Sequence, residues 1–362
     1  AEWKGKIETE NGIKVIKNPS EPLYGEIDFE LEEDLFLGSE KDENYMFYRV
    51  WDIAVNDQGD IYVMDSGKYR IQKYDKNGHY LQTIGRQGQG PGEFERPVGL
   101  YLDKKGNIYV LGFPKIHLFD RKGEFVKSLV PPGFVTAFVP DGEGSIIATS
   151  YVRAERMQNF GVLIINPDGE VSKKIAEFPG IPIIKGGMTF AHDYTPLLRI
   201  AAVGDKGFVY GYPLEYKLYC ADWSGENILI IKKDEPYHVL SGGERDKIIN
   251  ERLESIKWPK NIVEEALNLP KHRPFFNRIL VDDKGRIYVK RRKSVLDKSA
   301  EEIFDIFGPN GYYLYSTRLS FTPMAIKGGF LYNTTFSEET GETKVIKYRI
   351  KNWNLIKPDK EF

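Results

Sequence analysis

The sequence predicts an all-β protein, a six-bladed β-propeller with four-stranded antiparallel blades and a short helical insertion. One observation is the composition: 35 Gly, 20 Pro, 22 Tyr and 21 Phe among 362 residues, which is typical of a chain rich in strands and turns. A second is a repeat near the amino terminus, and a third is the grouping of later strands in fours. A chain of this length is two domains or one repetitive architecture, and the repeat favours the latter.

The repeat relates residues 35–63 to residues 82–110 at a constant offset of 47 residues, without a gap. Each copy reads as an apolar strand, an Asp/Gly turn and the strand Ile-Tyr-Val, and two further strands follow. Four short antiparallel strands per unit indicate a propeller blade. The matched pairs are Gly38 with Gly85, Phe47 with Phe94, Gly59 with Gly106, and Tyr62 with Tyr109.

Weaker copies predict four more blades, over residues 134–175, 198–231, 276–318 and 323–350. The last copy lacks a fourth strand, whereas an unpaired strand pattern precedes the first copy, from about Glu26 to Leu37. We therefore expect the amino-terminal strand to complete the last blade and to close the ring, which removes an open sheet edge.

Residues 1–25 are predicted to form an extension outside the propeller, which spans residues 26–362. The alternation around Asn11-Gly12 indicates a β-hairpin. It is expected either to pack on the side of its own propeller or to add a strand to a neighbouring molecule.

A helical insertion is predicted at residues 241–270. Ser241 and Glu244 have capping-box spacing, and Ile248, Ile249 and Leu253 follow at helical intervals. Since the insertion joins the outer strand of one blade to the inner strand of the next, it should cover one face of the propeller as a lid or wall.

The glycine-rich segment before Pro97 is not predicted to be a phosphate-binding loop. A dinucleotide fingerprint needs a helix amino terminus after its glycines, whereas an alternating strand pattern follows here. The segment is expected to connect two blades.

The segments GQGPGEFERPVGLYLDKKGNIYV and YRIQKYDKNGHYLQTIG resemble the NHL repeat of bacterial six-bladed propellers. The resemblance implies the fold over nearly the whole chain. It implies a function only broadly, since such proteins include ligand-binding modules, scaffolds and a few lyases and lactonases. Enzymes on related propellers hold a metal at the central axis.

Charge and cysteine usage narrow the classes of partner. The formal net charge of −2 predicts no nucleic-acid binding, and no apolar run is long enough for a membrane span. Cys220 is the single cysteine, so it is interpreted as a buried strand residue, and no cofactor is predicted. The start at Ala1 is interpreted as a mature exported chain, extracellular or periplasmic.

The expected binding face is the one formed by the connectors that enter the inner strands and by the loops between second and third strands. Arginine beside aromatic residues there suits an anionic ligand or glycan. The candidate ligand-binding residues are Arg49, Arg96, Arg153, Arg156, His192, Tyr194, Arg199, His272, Arg273, Phe275 and Arg291. His192 and His272 are also weak metal candidates, without a ligand-spacing motif, and no catalytic residue is predicted.

The sequence is compatible with three functions. The first is a non-catalytic secreted propeller that binds a protein, a glycan or an anionic ligand, or serves as a scaffold. The second is a self-assembling extracellular subunit that forms a homo-oligomer or filament through residues 1–25. The third is a metal-dependent lyase or lactonase.

Overall fold

The structure, a computed structural model, describes residues 2–39, 41–153, 157–183, 190–338 and 343–359. Six four-stranded antiparallel sheets form a ring, which confirms the predicted fold class. In each blade the first strand lies nearest the axis and the fourth lies at the rim.

The first three blades follow one another along the chain. Blade 1 contains β4 (Val50–Val55), β5 (Ile61–Asp65), β6 (Arg70–Tyr74) and β7 (Tyr80–Ile84). Blade 2 contains β8 (Pro97–Leu102), β9 (Ile108–Gly112), β10 (Lys115–Phe119) and β11 (Phe125–Leu129). Blade 3 contains β12 (Val135–Pro140), β13 (Ile146–Arg153), β14 (Met157–Ile165) and β15 (Val171–Pro182).

The remaining blades include strands from both ends of the chain. Blade 4 contains β16 (Arg199–Val203), β17 (Gly207–Gly211), β18 (Lys217–Ala221) and β19 (Asn227–Lys233). Blade 5 contains β20 (Phe276–Val281), β21 (Ile287–Arg291), β22 (Glu302–Phe307) and β23 (Tyr313–Leu319). Blade 6 contains β24 (Ala325–Lys327), β25 (Phe330–Phe336), β26 (Thr343–Ile350) and, as its rim strand, β3 (Leu31–Leu37).

The pairing of β3 with β26 confirms the predicted ring closure. The two strands run antiparallel, with Leu37 opposite Val345 and Leu31 opposite Ile350. The closing strand is shorter than the expected segment, because Glu26 and Ile27 contact the rim of blade 5 instead.

The residues before β3 also lie along the rim. β1 (Lys6–Glu10) and β2 (Ile13–Asn18) form a hairpin, and β2 pairs in parallel with β19, so the sheet of blade 4 has six strands. Residues 22–27 then follow β23, where Leu23 N donates to Tyr313 O at 2.9 Å. We call residues 2–37 the amino-terminal belt, since they cover the rims of blades 4, 5 and 6 in turn.

The apolar core lies between neighbouring blades. Tyr62, Met64 and Ile71 of blade 1 pack against Leu100 and Val110 of blade 2, and all five are buried. Both faces of the middle strands contact a neighbouring blade. This explains why their sequences are almost continuously apolar.

Two helices interrupt the path from blade 4 to blade 5, as the predicted insertion required. α1 (Gly242–Ser255) begins with the predicted capping box between Ser241 and Glu244, and α2 is Lys260–Leu267. Both pack on the connector before β16 through Tyr194, Val263 and Leu267, so they cover part of the predicted binding face. We call them the helical cover. A short 3₁₀ helix (Trp353–Leu355) follows β26.

We expect Asn18→Ala to lower the free energy of unfolding by about 3 kcal/mol, because the buried amide joins the belt to two blades. Its Nδ2 donates to Gly311 O at 2.8 Å, and its Oδ1 accepts from Tyr313 N at 2.8 Å. Denaturant unfolding of the whole chain measures the change. The exposed turn residue Asn77, changed to Ala, is the control, and equal stability of the two variants would contradict the belt's role.

Candidate functional site

The inner strands present one axial layer of side chains at the end nearer the helical cover. Register places Trp51, Val98, Thr136 and Asn277 at equivalent positions of β4, β8, β12 and β20, each in a bulge that leaves the residue unpaired in the ladder. The ladder of β16 is regular, and Arg199, opposite Gly211, takes the position that Arg278, opposite Lys290, has in β20. Such bulges commonly change the direction in which a side chain points.

Three arginines lie close together at this layer. Burial, together with the neighbouring cations Arg292 and Arg278, lowers the pKa of Arg199 to about 10. Arg278 donates from Nη2 to Met324 O at 3.3 Å, and Arg292 lies 3.6 Å from Asp193. Arg199 makes no ion pair with any described residue, so this part of the axis is an incompletely neutralised cationic site.

Four buried polar atoms near the layer have no hydrogen-bond partner among the described residues. They are the Nε atoms of Arg199, Arg273 and Arg292 and the Oδ1 atom of Asn277. These residues belong to adjoining segments: Asn277 precedes Arg278 in β20, Arg199 begins β16 of the neighbouring blade, and Arg292 N donates to Phe275 O at 2.9 Å. Because buried polar groups are nearly always paired, the cluster indicates a site that a ligand would complete.

A half-buried carboxyl, that of Asp52, lies on the opposite side of the axis and has a raised pKa. Asp52 accepts hydrogen bonds from Leu100 N at 3.0 Å and from Ile53 N at 2.9 Å. Burial raises its pKa to about 6, although Arg278 acts in the other direction. Asp52 therefore joins blades 1 and 2 and offsets only part of the arginine charge.

Glu244 fixes the helical cover to the propeller. Its carboxylate accepts from Tyr194 OH at 2.6 Å, Ser294 Oγ at 2.7 Å and Arg273 Nη2 at 3.1 Å, besides the backbone N–H of Ser241. Burial alone would raise the pKa of this carboxyl, but the hydrogen bonds from Tyr194, Ser294 and Ser241 lower it to about 2. Two predicted site residues, Tyr194 and Arg273, thus position the cover.

The two histidine candidates lie in different surroundings. His192 accepts at Nδ1 from Tyr194 N, 3.0 Å away, and burial lowers its pKa to about 4. The ring of His272 lies 4.5 Å from Tyr237 and 5.8 Å from Phe275, which is itself buried. The structure places the first under the cover and the second in an aromatic cluster.

Arg291 belongs to a buried network between blades 4 and 5. Its Nη2 lies 2.8 Å from Asp305 Oδ1, and Tyr216 and Tyr313 donate to the same carboxylate. Interaction with Asp305 outweighs burial and raises the pKa of Arg291. With its guanidinium engaged in this way, Arg291 is held by the protein itself.

The other arginine candidates lie on the rim of the face. Arg49, Arg96 and Arg153 are exposed, whereas Arg156 lies outside the described residues. Exposed aromatic rings accompany them, notably those of Tyr48 and Trp51. The structure thus separates the half-buried Arg199 from a set of solvent-exposed arginines.

A large cavity opens on the face away from the helices, where no ligand was predicted. It measures about 1000 Å³ and is bordered by the turns after the inner strands. Its charged side chains pair with one another: Lys104 with Asp205 at 2.6 Å and Lys327 with Asp57 at 2.6 Å. The cationic axial site differs because Arg199 has no ion-pair partner among the described residues.

Sequence reasoning missed Asn277 and Arg278 as site residues. Both lie in an inner strand that reads as an ordinary apolar run, and the bulge at Asn277 has no signal in the sequence. The sequence signal for Arg278 was a single arginine within a repeat segment that is otherwise typical of an apolar inner strand. Arg292 was recognisable as part of a basic run after β21.

Within the described ranges, no group of three or more His, Cys, Asp or Glu side chains has a metal-binding arrangement. Neither helix of the described chain is long and apolar enough to cross a membrane.

Comparison with known proteins supports the same architecture. The model of the DUF5128 family, described as a 6-bladed beta-propeller, matches residues 36–178. It does not identify the repeat as NHL, so that resemblance stays a prediction. No curated protein matches the chain.

Two solved structures share the fold over nearly their whole length. A predicted exported protein from Bacteroides fragilis is 13% identical, with a TM-score of 0.55, covering 93% of this chain and 99% of its own. A DUF4221 family member from Bacteroides vulgatus is 14% identical, with a TM-score of 0.54, covering 89% and 98%. At these identities the likeness concerns the fold.

We expect Glu244→Gln to loosen the helical cover at neutral pH. The substitution removes the charge that Arg273 pairs with and weakens four hydrogen bonds, at a cost of about 3 kcal/mol. Hydrogen–deuterium exchange of residues 242–267, relative to blade 1, measures the effect. Glu254→Gln, at an exposed position of α1, is the control. Unchanged protection in Glu244→Gln would contradict the anchoring role.

Acid should loosen the cover of the unmodified protein. Glu244 has a lowered pKa, so its stabilising contribution is complete above its ordinary value of 4.5 and is lost as the pH falls towards 2. His192 also has a lowered pKa, so the unfolded segment binds its proton first, and stability falls between pH 6.5 and 4. Exchange corrected for intrinsic rates should rise for the cover before it rises for blade 1, and a simultaneous rise would count against this order.

Proposed function

We propose that this protein is a non-catalytic, secreted binding module that takes an anionic ligand at the helix-covered end of its axis. The observation that carries the proposal is the set of unpartnered buried atoms on Arg199, Arg273, Arg292 and Asn277. Three are guanidinium donors, and a negatively charged oxygen is the partner that such donors bind most strongly.

Electrostatics support an anion at this position. Arg199 is destabilised as a cation by burial and by two neighbouring guanidinium groups, as its lowered pKa of about 10 reflects. A bound carboxylate would remove this repulsion in a half-buried environment, where charge pairing is stronger than in water. Perturbed groups of this kind commonly mark functional sites.

Uncompensated positive charge also favours this end of the axis, rather than the large cavity on the other face, as the site of an anion. In that cavity the charged side chains of neighbouring turns neutralise one another, as Lys104 and Asp205 do. A charged ligand would therefore be bound less strongly there. The export of the protein is part of the proposal, and the exported description of the Bacteroides fragilis protein is compatible with it.

The alternative functions stay predictions. For assembly through residues 1–25, β2 already pairs with β19 of the same chain, so only the edge of β1 is open to another molecule. Lys6, Glu8 and Glu10 charge this short edge strand, a pattern that discourages pairing between molecules. For a metal-dependent lyase or lactonase, no side-chain cluster in the described part of the chain provides support.

We expect Arg199→Gln to raise the melting temperature by roughly 2 °C in the absence of ligand, because it removes repulsion among half-buried cations. Millimolar citrate, used as a small carboxylate probe at constant ionic strength, should stabilise the unmodified protein and should not stabilise this variant. Differential scanning fluorimetry measures both effects. Arg121→Gln, exposed on the opposite face, is the control and should respond like the unmodified protein. An Arg199→Gln variant that still responds to citrate would contradict the proposed site.

A further inference from the structure

The unpartnered atoms at the axis differ in their chemistry. The Nε atoms of Arg199 and Arg292 need an acceptor, whereas Oδ1 of Asn277 needs a donor. A simple carboxylate satisfies only the arginines. A ligand that carries both a carboxylate and hydroxyl groups would satisfy all three residues, so the site is suited to a polyhydroxylated acid.

An aromatic platform extends from this site over blades 2 and 3. The rings of Phe113 and Phe134 are stacked, with centroids 4.3 Å apart and an interplanar angle of 15°. Tyr151 continues the row, 5.4 Å from Phe134. Phe134 is 47% exposed, so part of the platform is open to a ligand.

The platform and the cationic site are adjacent. Tyr151 packs in the same apolar cluster as Leu197 and Leu198, which directly precede Arg199 in the chain. Burial raises the pKa of Tyr151, and the nearby Arg199 cation opposes this effect. A ligand seated on Arg199 therefore meets Tyr151 next and Phe134 beyond it. Flat apolar rings favour a ligand with a flat, largely apolar face, which the less polar side of a pyranose ring provides.

We propose that the ligand is an acidic oligosaccharide in which a hexuronate carboxylate contacts Arg199 and Arg292, a ring hydroxyl donates to Asn277, and the adjoining sugar lies on Phe134. This inference rests on the proposed function and names the ligand class for the same site. The planar guanidinium fork binds a carboxylate through two parallel hydrogen bonds. An acidic peptide supplies carboxylates as well, but it has no ring face for the platform.

Isothermal titration calorimetry with oligogalacturonate tests the ligand class. We expect binding by the unmodified protein, at least tenfold weaker binding by Arg199→Gln, and about fivefold weaker binding by Phe134→Ala. The control variants are Arg121→Gln, on the opposite face, and Phe36→Ala, an exposed ring on the rim strand β3. Both should bind like the unmodified protein, and circular dichroism verifies that each variant is folded.

Comparison ligands separate this inference from the proposed function. The methyl-esterified oligosaccharide, dextran sulfate and poly-glutamate are each expected to bind at least tenfold more weakly than oligogalacturonate. Equal binding of the methyl ester would overturn the role of the carboxylate. Stronger binding of dextran sulfate or poly-glutamate, or full affinity in Phe134→Ala, would overturn the uronate assignment. The citrate response, lost in Arg199→Gln, would still support the anionic site in those cases.

Discussion

The backbone pairing of β3 with β26 is the interaction on which the structure depends. Without it, blade 6 would have three strands and the ring an unpaired edge, and the six inner strands would not surround a common axis. The axial layer exists only because the ring is closed, since its members come from different blades and are far apart in sequence. Arg199 and Asp52, for example, are 147 residues apart in sequence but take equivalent positions in the inner strands β16 and β4.

The belt adds to this closure in a way that the repeat did not indicate. Residues 1–25 are surplus to ring closure, and β2 and residues 22–27 extend the sheets of blades 4 and 5 of their own chain. The hairpin itself was visible in Asn11-Gly12, because type I′ turns have a strong local signal. The pairing of the hairpin with β19 could not be predicted, because a parallel pairing between distant segments leaves no local sequence pattern.

Blade number, blade bounds and the place of the helices could be predicted from the sequence, since each depends on short-range periodicity and turn residues. The site could be predicted only in part. Arg199 and Arg273 were accessible to reasoning because connectors of a propeller lead to the axis. Asn277 was not, because a bulge that shifts one residue out of the ladder is a tertiary feature. The roles of Tyr194 and Arg273 in holding Glu244 also depend on contacts across connectors.

The belt follows the blades in the same direction as the chain itself: residues 13–18 meet blade 4, residues 22–27 meet blade 5, and residues 31–37 meet blade 6. During synthesis, the amino-terminal residues must therefore wait for partners that the ribosome produces much later, and they can dock in the order of their own sequence. Contacts of such long sequence separation slow folding. Progressive docking would shield the rims of blades 4, 5 and 6 one after another, each soon after its blade has formed.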